Sequence, residues 1–391
     1  MNDSFNAAGS AARPAVRALR SSQIREVANA GLGGTGVLPF WFGEPDEVTP
    51  PFIRDAAALS LSRGETFYSQ NFGIPELRDA IGAYVSRLHR PTSASHIAVT
   101  ASGMSALMLT VEALVAPGDR VVVVTPLWPN LVEIPKILSA NVVCVPLEFT
   151  VAGWTLDVER LLAALTPDTR MVMINSPNNP TGWTIDRAGQ QTILAHCRER
   201  GIWIIADDVY ERLVYGGEAC APSFLDIAAP EDRVISTNSF SKSWLMTGWR
   251  LGWIVAPDAL MPDLGKLIEY NTSCSPVFVQ RAGVVAITDG EPTIAHTRER
   301  YSAARDFLVS ALARLPRIEV APPAGAMYAF FRVSGITDSL AFCKRLVHEA
   351  QLGLAPGSAF GPEGEGFVRW CFASSQARLV DGVARLDRFL R

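Results

Sequence analysis

Several function classes are thinly supplied in this sequence. Its six cysteines, at positions 144, 197, 220, 274, 343 and 371, include no C-x-x-C pair and no zinc-type spacing. A disulfide framework and a zinc site are therefore not expected, whereas reduced thiols in a cytoplasmic protein are. No apolar run approaches the roughly 18 to 20 residues that a membrane span requires, so no membrane partner is expected. Like charges never run to five or six and the net charge is only −4, which argues against a nucleic-acid partner. The five histidines (89, 96, 196, 296 and 348) lack ligand-like spacing, read as structural, and give no reason to expect a metal. Residues 1–20 are rich in Ala, Ser and Arg without the apolar h-region of a secretory signal, and predict a flexible tail.

Apolar residues, by contrast, are plentiful. They make up 48% of the 391 residues against 19% charged, enough for a substantial core spread over two or three domains. The glycine-rich stretch Gly31–Gly36 has no preceding strand and the wrong spacing for a phosphate loop, so it reads as a turn. From Pro75 the apolar positions Leu77, Ile81, Tyr84, Val85 and Leu88 follow helical spacing, predicting a helix over 75–90. Strand-like and helix-like stretches then alternate: strands at 97–100, 121–125, 142–147, 170–175, 202–206, 234–237 and 251–255. Helices lie between them at 103–115, near 130–139, after Asp157 and after Asp186, the two aspartates serving as N-caps. Such alternation predicts an α/β fold with a mostly parallel sheet flanked by helices, whose ligands bind at the carboxyl ends of the strands. Beyond about 285 the pattern changes to a long helix (293–314), strands near 317–320 and 327–333, a helix over 338–351, a strand at 367–372 and a terminal helix. That predicts a smaller α+β domain built from 21–50 and 286–391, beside a large domain of 51–285.

Several strand ends carry residues with chemical potential. Lys242 sits among small hydroxyl residues in Ser239-Phe-Ser-Lys-Ser, with Arg250 eight residues on. A desolvated lysine near a second cation loses its proton readily and reacts with an aldehyde. Ser102-Gly103-Met104 follows a strand and opens a helix, where backbone N–H groups suit a phosphate. Trp128 follows the strand at 121–125 and offers a flat face. Asp207 ends the strand at 202–206, where a carboxylate is costly without a cationic partner. Tyr210 and Asn179, the latter in Asn175-Ser-Pro-Asn-Asn-Pro-Thr-Gly182, can both reach a phenolic oxygen. Together these residues answer the separate demands of a phosphorylated pyridine aldehyde whose ring nitrogen must stay protonated.

The whole pattern resembles the fold-type I, pyridoxal-phosphate-dependent class I/II aminotransferases, the aspartate aminotransferase superfamily. The motifs that carry the likeness are Gly43-Glu-Pro-Asp46, Tyr68-Ser-Gln-Asn-Phe-Gly73, Ser176-Pro-Asn-Asn-Pro-Thr-Gly182, Asp207-Asp-Val-Tyr210, Ser239-Phe-Ser-Lys242, Thr247-Gly-Trp-Arg250, Pro356-Gly-Ser-Ala-Phe-Gly361 and Phe367-Val-Arg369. They stand in family order over roughly residues 21 to 390. The resemblance implies pyridoxal 5'-phosphate as cofactor, with 51–285 as its binding domain and Lys242 as the lysine of the internal aldimine. It places Ser102, Gly103, Met104, Ser239, Ser241 and Arg250 around the phosphate. Tyr68 would reach the phosphate across a homodimer interface, Trp128 would stack on the ring, and Asp207 would hold the ring nitrogen. Asn179 and Tyr210 would hold the ring oxygen, and Arg369, with Asn179, Phe360 and the Gly43 backbone, would bind the substrate. The implied reaction is a ping-pong transfer of an amino group between an L-amino acid and a 2-oxo acid, with Lys242 as general base and acid.

The same residues serve relatives that carry out β- or γ-elimination, form cyclopropanes or oxidise amino acids with oxygen, so those chemistries are the alternative. A ligand-binding module of a DNA-binding regulator is not expected, because only about 20 residues precede the matching region. Met104 replaces a lysine found in some dicarboxylate-specific relatives, and Leu131 replaces a histidine found behind the ring-binding aspartate in others. With Trp41, Phe42 and Phe360, Met104 predicts an apolar side-chain pocket for aromatic or aliphatic amino acids.

Overall fold

The computed structural model describes residues 12–391. Residues 1–11 of the expected N-terminal tail lie outside the described residues; of the remainder, Pro14–Arg17 forms a single helical turn. Strands Ile97–Thr100, Arg120–Thr125, Asn141–Pro146, Thr169–Asn175, Trp203–Asp207, Val234–Ser239 and Gly252–Val255 form one seven-stranded sheet. Across the sheet the order is 97–100, 252–255, 234–239, 203–207, 169–175, 120–125, 141–146. The strands from 234–239 through 141–146 run parallel, and 252–255 runs antiparallel to both of its neighbours.

The strands at 120–125, 169–175 and 203–207 are apolar through their middles because both of their faces are covered. Val122, Val124, Val172, Ile174, Ile204 and Ala206 point into one core. Their chain neighbours Val121, Val123, Met171, Met173 and Ile205 point into another. The period of two is therefore present but invisible as polarity, since each step moves from one dry interior to the next. Helix starts follow local chemistry. Asp157 accepts from Arg160 N at 3.0 Å and Asp186 from Gly189 N at 2.7 Å, and Gly201, at φ 66°, ends the helix Arg187–Arg200 in the left-handed conformation.

Ile318–Val320, Tyr328–Val333, Phe367–Cys371 and Ala355–Pro356 form a separate antiparallel sheet of four strands. Leu38–Pro39 pairs in parallel with Leu352–Gly353, which brings the segment Phe40–Asp46 alongside the C-terminal part of the chain. Gly31–Gly36 is a turn, with Gly33 and Gly36 at positive φ. Four helices were not among the expected elements: Gln23–Ala30, Pro51–Ser62, Met261–Asn271 and Val277–Asp289. The last two follow the final strand of the large sheet, where helix succeeds helix and no strand punctuates the sequence. No helix among the described residues is long and apolar enough to cross a membrane.

Candidate functional site

A cavity of about 510 Å³ opens at the carboxyl ends of the parallel strands, within the size range of small-molecule sites. Parallel pairing aligns Asn175 with Asp207 and Asp207 with Thr237, so three adjacent strands deliver polar side chains to one rim. Gly43, Gly103, Met104, Trp128, Asn179, Asp207, Tyr210, Ser239, Ser241, Lys242, Arg250 and Arg369 all line it. Residues from across the chain thus meet in one place.

Lys242 is held by what lies behind it. Phe240 and Trp244 flank it in sequence, point away from the cavity, and pack at ring-centroid distances of 5.1 Å on each other and, for Phe240, 5.1 Å on Trp253. Aromatic pairs of this kind contribute about 0.5–1.5 kcal/mol each beyond their burial. Lys242 Nζ donates to the carbonyl of Gly43. Burial lowers its pKa to about 8; Arg369 and Arg250 push in the same direction, while Cys371 and Glu44 oppose. A sizeable fraction of free amine is therefore present near neutral pH.

On one side of the lysine is an anion cup. Gly103 and Met104 occupy the first turn of the helix Gly103–Leu114, where backbone amides have no acceptor within the helix. Ser102 caps that helix, accepting from Ser105 N at 3.0 Å. Ser239 Oγ lies 2.9 Å from Ser241 Oγ, which in turn accepts from Arg250 Nη1 at 3.4 Å. Arg250 has φ 53°, a left-handed conformation that a non-glycine residue adopts only under tertiary constraint. Gly252 lets the backbones close up: a Cβ there would stand 2.5 Å from Gly103 N and 2.7 Å from Asn238 O.

Opposite the cup sits Asp207, only 5% exposed. Asn175 Nδ2 donates to its Oδ2 at 3.2 Å. Burial, then the charge of Asp208, pushes its pKa up to about 7, against the opposing pull of the Val209 amide and Lys242. A carboxylate in this state lacks a cationic partner, and a protonated ring nitrogen would supply one. Tyr210 OH lies 2.7 Å from Tyr328 OH, and burial raises both phenols above their ordinary range. Asn179 donates its backbone N–H to Asn175 Oδ1 at 2.8 Å, which fixes the turn on which its side chain is carried.

Arg369 is 2% exposed, yet no carboxylate among the described residues lies within ion-pair distance of it. Its Nη1 donates to Asn179 Oδ1 at 2.9 Å, its Nη2 donates to the carbonyl of Trp41, and its Nε has no partner among the described residues. The guanidinium stacks over Tyr328 at 4.4 Å and over Phe360 at 4.9 Å. A buried cation of this kind, with donors to spare, is built to receive an anion.

Some expected residues lie elsewhere. Phe360 supports Arg369 from beneath and does not line the cavity. Trp41 faces the other way, into the space left by Gly31 and Gly353, where a Cβ on Gly353 would lie 2.1 Å from the indole. Ser102 contributes its cap rather than a cavity wall. Tyr68 is 91% exposed on this chain and does not line the cavity. Tyr328, Asn175, Asn130 and Arg25 line the cavity and were not anticipated. Tyr328 in particular has no local signature; it meets Tyr210 only through the packing of the second sheet.

The arrangement fits pyridoxal phosphate on these observations: free helix-start amides for an anion, a destabilised buried carboxylate for a ring cation, and a desolvated amine between them. The family model for aminotransferase class I and II matches residues 35–386. The aspartate aminotransferase of Pyrococcus horikoshii is 34% identical over 95% of each chain. The aromatic-amino-acid aminotransferase 2 of Thermococcus litoralis is 30% identical over 95% of this chain and 96% of its own. The solved structure of Thermus thermophilus aspartate aminotransferase with maleate superposes with a TM-score of 0.90 at 30% identity, covering 97% of this chain and all of that one (100%).

Proposed function

The chain belongs to the class I and II aminotransferases and is a pyridoxal-phosphate-dependent transaminase; from that premise we propose how its own residues divide the work. The observation that carries the assignment is Arg369, a buried guanidinium with no carboxylate beside it among the described residues, sharing one cavity with the amine of Lys242 and the carboxyl of Asp207. The bound cofactor supplies an aldehyde and an electron-accepting, protonated pyridine ring. Asp207 would hold the ring nitrogen in its cationic form, Trp128 would flank the ring, and Asn179 and Tyr210 would donate to the ring oxygen. The amides of Gly103 and Met104, the hydroxyls of Ser239 and Ser241, and Arg250 hold the phosphate. Arg369 grips the α-carboxylate of an L-amino acid or a 2-oxo acid in its planar fork. Lys242 Nζ, desolvated and basic, takes the proton from the substrate's α-carbon and later returns one.

Four finer features extend this reading. Tyr68, exposed like its neighbour Phe67 and like Tyr270, supports a homodimer in which Tyr68 serves the partner's phosphate site. The six free thiols support a cytoplasmic protein. Pairing of Leu38–Pro39 with Leu352–Gly353 supports a smaller domain of 21–50 and 286–391 beside a large domain of 51–285. Phe42, Met104, Leu107 and Ile24 on the cavity wall support an aromatic or aliphatic donor, even though Trp41 and Phe360 do not contribute to that wall.

Borohydride reduction of the holoenzyme followed by peptide mass spectrometry tests the lysine assignment. The cofactor's mass should appear on Lys242 and be absent from Lys242→Ala. A panel of amino acids, added singly, should convert the cofactor stoichiometrically to its amine form. Release of ammonia or peroxide in place of that conversion would overturn transamination in favour of elimination or oxidation.

A further inference from the structure

Behind the ring site, on the far side of the segment that carries Asp207 and Tyr210, lies a second polar cluster that the reaction does not touch. Asp208 and Glu211 alternate with Asp207 and Tyr210 along this segment and are turned inward, both buried. Asp208 Oδ2 accepts from Ser236 Oγ at 2.6 Å and from Ser223 Oγ at 3.0 Å. Glu211 Oε1 accepts from Tyr84 OH and from Asn238 Nδ2, both at 2.8 Å. The remaining oxygen of Glu211, Oε2, lies 3.0 Å from His89 Nε2, and His89 Nδ1 lies 2.6 Å from Asp226 Oδ1. The His89 side chain is 1% exposed.

Both ring nitrogens of His89 thus face a carboxylate oxygen. Ionised carboxylates only accept, so both nitrogens must donate, which only the imidazolium can do. The residue also stands at the C-terminal end of the helix Pro75–Leu88, where a cation is favoured. The groups facing it are the anions Glu211 and Asp226, with Asp208 joined through Ser223. Two further cations border the cluster: Arg187 shares Asp226 through its other oxygen, Oδ2, and Arg212 is engaged with Glu291, so Glu211 has His89 as its ion-pair partner among the described residues. Although burial alone would lower it, hydrogen bonding to Asp226 and Glu211 raises the His89 pKa to about 10.

We propose that His89, as a buried imidazolium bridging Glu211 and Asp226, is a positioning residue that fixes the Asp207–Tyr210 segment against the cofactor ring. It acts through Glu211, which lies next to Tyr210 in the chain and is tied to the helix of Tyr84 and to the strand of Asn238. Removing the cation leaves Glu211 buried without its counter-charge. The segment then relaxes, and both ring contacts on its other face move with it. The inference rests on the proposed role of Asp207 and Tyr210, and its tests separate the two.

The first test needs no cofactor. In ¹⁵N NMR of the apoprotein, the His89 ring should remain doubly protonated from pH 6 to about pH 9; a neutral ring at pH 7.5 overturns the proposal whatever the enzyme does. The second test is kinetic, normalised to bound cofactor. His89→Gln should lower kcat by about 10- to 100-fold, the effect expected of an ångström-scale misplacement, with the amino-acid KM nearly unchanged because Arg369 sits on another element. The double variant H89Q/E211Q removes both charges and should regain most of the lost kcat. It also remains informative should H89Q alone fold poorly. Unchanged kcat in H89Q, or a double variant no better than H89Q, refutes the positioning role. Loss of stability in H89Q with normal kcat in the folded fraction also refutes it, since that is what a merely structural histidine gives. Failure of the transaminase reading itself would appear as inactive wild-type enzyme with the NMR result intact.

Discussion

Replacing Arg369 by lysine keeps the charge and discards the fork. Of the five guanidinium N–H groups, one is spent on Asn179 Oδ1 and one on the Trp41 carbonyl, which leaves three, including the unpartnered Nε, for an incoming carboxylate. Two parallel charge-assisted bonds are therefore available to the substrate without disturbing the internal ones. Lysine, with three donors, must choose between the carboxylate and the two carbonyl-type acceptors that position it. Loss of one bond to a charged group is worth about 1.5–3 kcal/mol, or roughly 10- to 150-fold in kcat/KM for an amino acid. Arg369→Ala loses both and leaves two buried acceptors unsatisfied, so its loss should reach about 3–6 kcal/mol. The assay compares an amino acid with the corresponding amine lacking the carboxylate, under conditions where each variant is saturated with cofactor. The wild type should discriminate strongly between them, R369K weakly and R369A hardly at all, with the amine's own kcat/KM nearly constant throughout. If R369K stayed within threefold of wild type, or if the amine suffered as much as the amino acid, the carboxylate role would be wrong.

Three further outcomes follow from the same geometry. With Lys242 at a pKa of about 8, the rate of cofactor uptake by the apoprotein should rise about tenfold per pH unit below that value and level off above it, followed by visible absorbance; a flat profile from pH 6 to 9 would contradict a desolvated lysine. Asp207 has a folded-state pKa of about 7, raised from 3.8, so the apoprotein loses stability as pH rises through that window. The melting temperature of apo Asp207→Asn relative to wild type should accordingly climb between pH 4 and 8, by an amount bounded by about 1.4 kcal/mol per pKa unit. Gly252→Ala drives a Cβ to 2.5 Å from Gly103 N, against backbone on both sides. It should destabilise the fold by about 1–3 kcal/mol and weaken phosphate binding, measured by denaturant unfolding and by cofactor dissociation.

Much of this site is legible locally because a parallel sheet turns position along the chain into position in space. Once the strands at 169–175, 203–207 and 234–239 are recognised, their last residues must share a rim, and Asn175, Asp207 and Ser239 do. What escapes is set by long-range packing. Tyr328 lies 118 residues from its partner Tyr210, and His89 lies 122 from Glu211; neither carries a local mark. Composition also misleads where glycine decides direction. Trp41 belongs to an aromatic run beside the site, but the bare backbones of Gly31 and Gly353 open a slot on the opposite side and the indole fills it. Phe360 is likewise drawn under Arg369, where its ring face offsets part of the cost of burying a cation.

The residues that the sequence did make legible share a physical trait that explains why this cavity exists at all. Burial draws the pKa values of Lys242 and Asp207 toward neutrality, destabilising the charged form of each, and Arg369 is buried with no anion beside it among the described residues. Each is unfavourable in the polypeptide alone, and together they represent several kcal/mol that an apolar filling of the same strand ends would not incur. The helix-start amides at Gly103 and the left-handed Arg250 add to that deficit. A ligand that brings a dianion, a ring cation and an aldehyde, followed by a carboxylate, relieves every one of them and must therefore stabilise the native state strongly by mass action. The Glu211–His89–Asp226 bridge is the contrasting case: buried charges satisfied internally, with nothing left for a ligand. The two clusters sit back to back on the segment from Asp207 to Glu211. The satisfied one can hold its place while the unsatisfied one waits for cofactor, and that is why a rigid histidine belongs behind a reactive carboxylate.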